Sequence, residues 1–251
     1  MNRLSGKVGV ITGAAGGIGA AAARTFAAEG AVVGLLDRPG HALDALAAEL
    51  GPAAVALPAD VTGEASVAAA FAAWAGAHER ADFVYVCAGQ QLHDVDGRAG
   101  DVSLDTWERT IAVNLTGAFL TVKHALPALC AAPSGSLILC GSPTGLSMSG
   151  GGNTAYGASK AGMMALARIV AADYAAEGVR ANIIVPGTTR TPLIEPLLAD
   201  PQVHAALLAG APIGRLGTPA DLTGIAVFLA GDESRYATGA TFAVDGGLTV
   251  R

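Results

Sequence analysis

Tyr156 and Lys160 stand four residues apart in the run Ala155-Tyr156-Gly157-Ala158-Ser159-Lys160, which reads as helix, and Ser142 precedes them after a strand-like stretch. Side chains at i and i+4 share a helix face, so a phenol lies beside an ammonium whose positive charge favours its ionised form. Such a pair is suited to trading protons with a reacting group. The same spacing also occurs as a half-buried tyrosine above a solvated lysine, so the elements around the pair decide between the two readings.

Those elements alternate regularly. Short β-branched runs at 7–12, 31–36, 53–57, 82–86, 136–140, 180–185 and 241–244 are separated by alanine-rich segments with helical character at 17–29, 41–50, 64–77, 104–131, 154–177 and 219–230. Strand followed by helix, repeated, implies a parallel sheet. Near-continuous apolar strands such as Val8-Gly9-Val10-Ile11 and Phe83-Val84-Tyr85-Val86 imply helices on both faces. The expected fold is therefore α/β, a single doubly wound domain over 1–251 with a seven-stranded parallel sheet. The stretch from Pro186 to Pro212, interrupted by Pro192, Pro196 and Pro201, shows no clear element and is expected to act as a lid at about 188–212.

The first strand ends in Thr12-Gly13-Ala14-Ala15-Gly16-Gly17-Ile18-Gly19 and runs straight into a helix. Backbone N–H groups and the positive helix end converge there, and glycines let a pyrophosphate approach. Asp37 closes the second strand 18 residues beyond Gly19, near the offset at which an acid binds a ribose 2′-hydroxyl and repels a 2′-phosphate. This favours NAD(H) over NADP(H). Asp37 also reads as a turn acid before Pro39-Gly40, and Arg38 beside it could meet a phosphate.

Composition narrows the rest. A chain of 251 residues, 52 % hydrophobic and 14 % charged, can bury a large core. A net charge of -6 without any Lys/Arg cluster argues against nucleic acid. Residues 124–159 lack Asp, Glu, Lys and Arg, yet Pro127, Pro133 and the Ser/Gly content break any membrane-spanning helix. The N-terminus enters a strand without an apolar signal segment, so a soluble cytoplasmic protein is expected. Three cysteines at 87, 130 and 140 and five scattered histidines show neither disulfide nor metal-ligand spacing; no metal is expected.

Taken in order, these motifs resemble the short-chain dehydrogenase/reductase family along nearly the whole chain. Besides the glycine turn, Ser142 and Tyr156 with Lys160, the pattern includes Asp60-Val61, Cys87-Ala88-Gly89, Asn114, Pro186-Gly187 with Thr191, and Val244-Asp245-Gly246-Gly247. The resemblance implies a Rossmann fold and an NAD(H)-linked enzyme acting on a small or medium secondary alcohol or ketone. By that resemblance Tyr156 exchanges the proton, Lys160 supports it and binds the nicotinamide ribose, Ser142 holds the substrate oxygen, and Asn114 anchors a water chain from Lys160. Gly13, Gly16, Gly17, Ile18 and Gly19 would cradle the pyrophosphate, Asp37 the adenosine ribose, and Asp60 and Val61 the adenine. Ala88 and Gly89 would line the cofactor, and Pro186, Gly187, Thr188 and Thr191 the nicotinamide.

The substrate is expected between Gln90, Gln91 and His93 on one wall, Ser142, Leu146 and Asn153 within 142–153 on another, and Leu193, Ile194, Leu197 and Leu198 above. The two glutamines would suit a polyol or sugar derivative. Two departures from the family pattern stand out: Cys87 occupies the usual place of an asparagine, and the segment before Tyr156 is a residue longer, with Gly150-Gly151-Gly152. Alternatives are a 3-oxoacyl-carrier-protein reductase and, in another class, a catalytically silent dinucleotide-binding regulator. Surplus apolar surface on 104–131 and 154–177 implies a homo-oligomer, in this family a homotetramer.

Overall fold

The computed structural model describes residues 2–147 and 151–250. Seven strands form one parallel sheet in the order β3-β2-β1-β4-β5-β6-β7. They are β1 Val8–Thr12, β2 Val32–Asp37, β3 Ala54–Pro58, β4 Phe83–Val86, β5 Gly135–Cys140, β6 Val179–Pro186 and β7 Thr241–Val244. The seven strands lie within a residue or two of the stretches read from the sequence.

Alternation explains why the strands are apolar throughout. Val10, Leu36, Val84, Val86 and Leu139 face one core, with Val67, Trp74, Met163 and Ala167 above them. Ile11, Leu35, Phe83, Tyr85 and Ile138 face the other, against Phe26, Leu43 and Leu222. Successive side chains of a strand point to opposite faces, and helices cover both. The helices are α1 Gly17–Ala28, α2 His41–Leu50, α3 Glu64–Ala77, α4 Leu104–Ile111, α5 Gly117–Cys130, α6 Pro143–Leu146, α7 Thr154–Asp173, α8 Glu195–Leu198, α9 Pro201–Gly210 and α10 Pro219–Ala230.

The structure corrects the sequence reading in three places. The expected helix 104–131 contains a π turn at Ala112–Thr116 joining α4 to α5. The helix expected to reach 177 ends at Asp173. The stretch 186–212 contains α8 and α9, because Pro196 and Pro201 occupy first-turn positions where a missing N–H costs nothing. Asp200 caps α9 by accepting Gln202 N at 2.8 Å. Two of the three prolines taken as interruptions, Pro196 and Pro201, are helix starts.

Strand order reverses between β1 and β4. Helices leave these two strands toward opposite faces, which opens a crevice beyond their carboxyl ends. Every strand end facing that crevice carries a residue singled out above: Gly13, Asp37, Asp60, Gly89, Ser142, Gly187 and Asp245 follow or close β1 to β7 in turn. Among the described residues no helix is long and apolar enough to cross a membrane.

Candidate active site

A groove of about 530 Å³ runs along the crevice, lined by Gly13, Gly16, Gly17, Ile18, Gly19, Asp37, Asp60, Val61, Ala88 and Gly89. The glycine turn is tight. A Cβ on Gly13, which sits at φ +64°, would lie 2.7 Å from Ala88 N, and one on Gly19 would lie 2.2 Å from Gly13 O. α1 starts at Gly17 with no side-chain cap, so its first N–H groups face the groove as donors for an anion. Asp37 braces the turn, accepting Ala15 N at 2.8 Å through Oδ2 and Arg38 N at 2.7 Å through Oδ1. Asp60 accepts the backbone N–H of Thr62 at 2.9 Å and its hydroxyl at 2.8 Å, and these bonds hold its carboxyl below the usual range. An open glycine cradle, an uncapped helix end and a carboxylate at the far end fit a dinucleotide.

A second cavity of about 300 Å³ adjoins the groove through Ile18, Cys87, Gly89, Gln90, Thr191 and Leu193, which line both. Ser142, Tyr156 and Lys160 meet in it, together with Pro186, Gly187 and Thr188. Lys160 Nζ lies 5.8 Å from the Tyr156 ring centroid. Lys160 is 4 % exposed, and its Nζ donates to Cys140 O at 2.9 Å and approaches Met163 Sδ at 3.9 Å. An ammonium has three donors, and no carboxylate lies within ion-pair distance of this one among the described residues. It therefore keeps capacity for a hydroxyl-bearing ligand. Ser142 follows β5 by two residues and caps α6, its Oγ accepting Thr144 N at 3.3 Å and sharing a hydrogen with Thr144 Oγ1 at 2.9 Å.

Comparison with known proteins is decisive here. A protein-family profile described as enoyl-(acyl carrier protein) reductase matches residues 13–249. The chain is 40 % identical over 251 residues to cis-4-hydroxycyclohexanecarboxylate dehydrogenase of Sinomonas cyclohexanicum, covering 97 % of this chain and 96 % of that protein. It is 39 % identical over 235 residues to inactive 2-(S)-hydroxypropyl-CoM dehydrogenase 2 of Xanthobacter autotrophicus, covering 90 % of this chain and 99 % of the other. A short-chain type dehydrogenase/reductase from Mycobacterium ulcerans superposes with a TM-score of 0.93 at 29 % identity, covering 99 % of this chain and 91 % of that one. The chain belongs to the short-chain dehydrogenase/reductase family. As a short-chain dehydrogenase/reductase it is an oxidoreductase acting on the CH–OH group of small alcohols with a nicotinamide dinucleotide.

Within this short-chain dehydrogenase/reductase, Asn114 sits in the π turn, fully buried. Its Nδ2 donates to Gln90 O at 2.9 Å and Ser159 Oγ at 3.0 Å, and its Oδ1 accepts Gln90 N at 2.8 Å. The side chain thus ties the end of β4 to α7, while Ser159 Oγ donates onward to Tyr156 O at 2.7 Å. Gln90 Nε2 is turned to Arg109 O at 2.8 Å and Gln91 Nε2 to Asn153 Oδ1 at 2.8 Å. Each amide has a second hydrogen and its carbonyl oxygen left for a ligand. His93 lines the cavity; burial pushes its imidazole below the usual range against the pull of the Leu193 backbone, and among the described residues its buried Nε2 has no hydrogen-bond partner.

Some expected wall residues lie elsewhere. Leu146 is 42 % exposed and does not line the cavity; Gly145 packs against the Lys160–Ala161 backbone, which turns the next residue of the short helix α6 outward. Leu198 is replaced by Leu207 of α9 and by Leu248, beside Leu193, Ile194, Leu197 and Asn153. Gly150 lies outside the described residues; Gly151 and Gly152 adopt φ +73° and +72°. Cys87 packs with the face that carries Tyr85 and Cys140, and burial pushes its thiol well up. Sequence reading missed Val113, Leu207 and Leu248, which have no motif, and Asp96, a loop acid close to Asp94 with nothing local to single it out.

Proposed function

We propose that this protein is an NAD(H)-dependent dehydrogenase of compact, uncharged secondary alcohols and their ketones. The observation that carries the reading is the meeting of Ser142, Tyr156 and Lys160 in a cavity that opens into a groove ending at Asp37. When bound, the dinucleotide supplies the hydride acceptor for oxidation and the donor for reduction. Ser142 Oγ and the Tyr156 hydroxyl hold the substrate oxygen. Tyr156 takes the alcohol proton in oxidation and returns it to the ketone oxygen in reduction. The buried charge of Lys160 stabilises the negative charge that gathers on the phenol oxygen as the proton leaves, and its spare donors bind the nicotinamide ribose. Asn114 holds the Gln90 backbone and α7 in mutual register beneath these groups and anchors the proton path from Lys160.

The substrate class follows from the lining. Leu193, Ile194, Leu197, Leu207 and Leu248 face Gln91, His93 and Asn153, and among the described residues Lys160 is the only lysine, arginine or carboxylate in the lining. With no arginine or second lysine in the lining to pair with a carboxylate or phosphate, a neutral apolar body with one reacting hydroxyl fits best. Residues 188–212 act as the lid over a single catalytic domain. The carrier-protein reductase reading is disfavoured by Asp37 and by the net charge of -6, which repels an acidic carrier. The test is NAD+-linked oxidation of cyclohexanol, trans-1,2-cyclohexanediol, galactitol and cis-4-hydroxycyclohexanecarboxylate. Turnover strongest on the first two supports the reading. Tight NADH binding without turnover of any would make the protein a silent dinucleotide binder.

Cofactor choice is a separate expectation. Asp37 places a negative charge where a 2′-phosphate would sit, so kcat/KM with NAD(H) should exceed that with NADP(H), and Asp37→Ser should narrow the ratio. A wild-type preference for NADPH would overturn the assignment of Asp37.

The outer face of α5 and α7 supports a homo-oligomer, with a tetramer the expected form. Phe119 is 48 % and Ile169 56 % exposed, and they border an apolar depression of about 440 Å³ with Leu126, Leu166 and Val170. Such a patch on a soluble protein is commonly an interface. Phe119→Glu combined with Ile169→Glu should lower the mass of the assembly by light scattering, from tetramer to dimer; a monomeric wild type would reject the oligomer.

A further inference from the structure

The helix that carries Tyr156 opens without a cap of its own. Asn153, at its N-cap position, makes no side-chain bond to the helix; its amide instead accepts Gln91 Nε2 and donates to Gly151 O at 3.2 Å. The first N–H groups of α7 are met by a segment far away in the chain. Thr154 N donates to Gly97 O at 3.3 Å, Ala155 N to Asp96 Oδ1 at 3.1 Å, and Tyr156 N to Asp96 Oδ2 at 3.0 Å. Asp96 Oδ1 also accepts Gly97 N at 2.9 Å. The turn presenting Asp96 grows out of the substrate wall, because Leu92 O accepts Val95 N at 3.1 Å and Asp96 N at 2.8 Å.

We propose that Asp96 is the positioning residue of the reaction: it sets the Tyr156 phenol against Ser142 and Lys160 and ties it to the substrate wall at Gln91–His93. The inference rests on the reading of Tyr156 as the proton-exchanging group. An aspartate suits the task because both oxygens accept, so one side chain serves the two consecutive N–H groups of Ala155 and Tyr156 as well as that of Gly97. Its negative charge also complements the positive end of a 20-residue helix. Asparagine would keep one acceptor and turn an NH2 toward one of those N–H groups. Alanine would leave both first-turn donors without partners, and the start of the helix, with the phenol on it, would no longer be registered to the cavity. Misplacing a catalytic group by about 1 Å can cost about 100-fold in rate.

The test compares Asp96→Ala, Asp96→Asn, Tyr156→Phe and wild type. Hydrogen–deuterium exchange over residues 153–158 reads the anchor without any substrate; NADH titration reads the dinucleotide groove. Steady-state oxidation of the best alcohol of the panel, protonated and deuterated at the reacting carbon, reads the chemical step. Asp96→Ala should accelerate exchange in the first turn and retain NADH binding. Its kcat should fall about 10- to 100-fold, with a raised KM and a larger deuterium isotope effect on kcat, and Asp96→Asn should lie between it and wild type. Unchanged exchange overturns the proposal. So does a lower Tm with fewer active molecules but unaltered KM and isotope effect, which is the signature of a merely structural cap. Wild-type turnover by Tyr156→Phe would instead sink the role of Tyr156, while the exchange result would still report whether Asp96 holds this turn.

Discussion

Tyr156→Phe is expected to lower kcat by about 10²–10⁴-fold, the range for losing a positioned proton donor, while NADH still binds. The phenol oxygen is the only atom removed. The ring stays 5.8 Å beneath Lys160 Nζ, and the backbone bonds from Tyr156 N to Asp96 and from Ser159 Oγ to Tyr156 O are untouched. The groove residues Gly13 to Gly19 and Asp37 make no contact through that hydroxyl. A fluorescence titration with NADH alongside steady-state alcohol oxidation separates the two effects. Full activity in the variant would remove Tyr156 from the reaction, and loss of NADH binding would show that the phenol serves the cofactor more than the proton.

Gly19→Ala is expected to be strongly damaging to the dinucleotide turn. The added Cβ would lie 2.2 Å from Gly13 O, 2.9 Å from Gly13 C and 3.1 Å from Ala14 Cα, all backbone atoms that cannot swing aside. The turn must therefore move. Forced overpacking of this kind costs about 1–3 kcal/mol, and the displaced N–H groups no longer converge on one anion, so both Tm and NADH affinity should fall. Gly16→Ala is the matched control. Its Cβ meets nothing closer than Gly13 O at 3.6 Å, so Tm should hold. Equal behaviour of the two variants would show that close backbone approach is not what the last glycine of the turn provides.

The order of elements was legible because each strand announces itself locally. Val8–Thr12 and Phe83–Val86 are apolar on both faces, and the alanine-rich runs between strands are long enough for helices. A repeated strand–helix alternation leaves little freedom in topology, since parallel connections are right-handed. The crevice, and the glycines, acids and hydroxyls that border it, follow from that order alone. Tyr156 with Lys160 was legible for the same reason: i and i+4 geometry is a property of the helix, independent of what packs on it.

The π turn at Ala112–Thr116 carries no signal of its own, because one extra residue per turn is decided by what Asn114 must reach, namely Gln90 and Ser159. In the lid the sequence shows prolines, and only the capping bond at Asp200 and the packing of Leu207 over the cavity reveal Pro201 as a helix start. The aim of the two glutamines was hidden for a similar reason: Gln90 and Gln91 each direct an amide hydrogen, to Arg109 O and Asn153 Oδ1 respectively, partners distant in the chain.

What the sequence by itself determined is therefore the sheet, its crevice and the residue types that border the crevice, since periodicity and short spacing encode these within a few residues. What only the tertiary structure decided is how those groups are aimed and which walls enclose the substrate. Aim depends on contacts such as Asp96 to the Tyr156 amide, between segments with no shared period and no fixed separation, and such contacts exist only once the chain has folded.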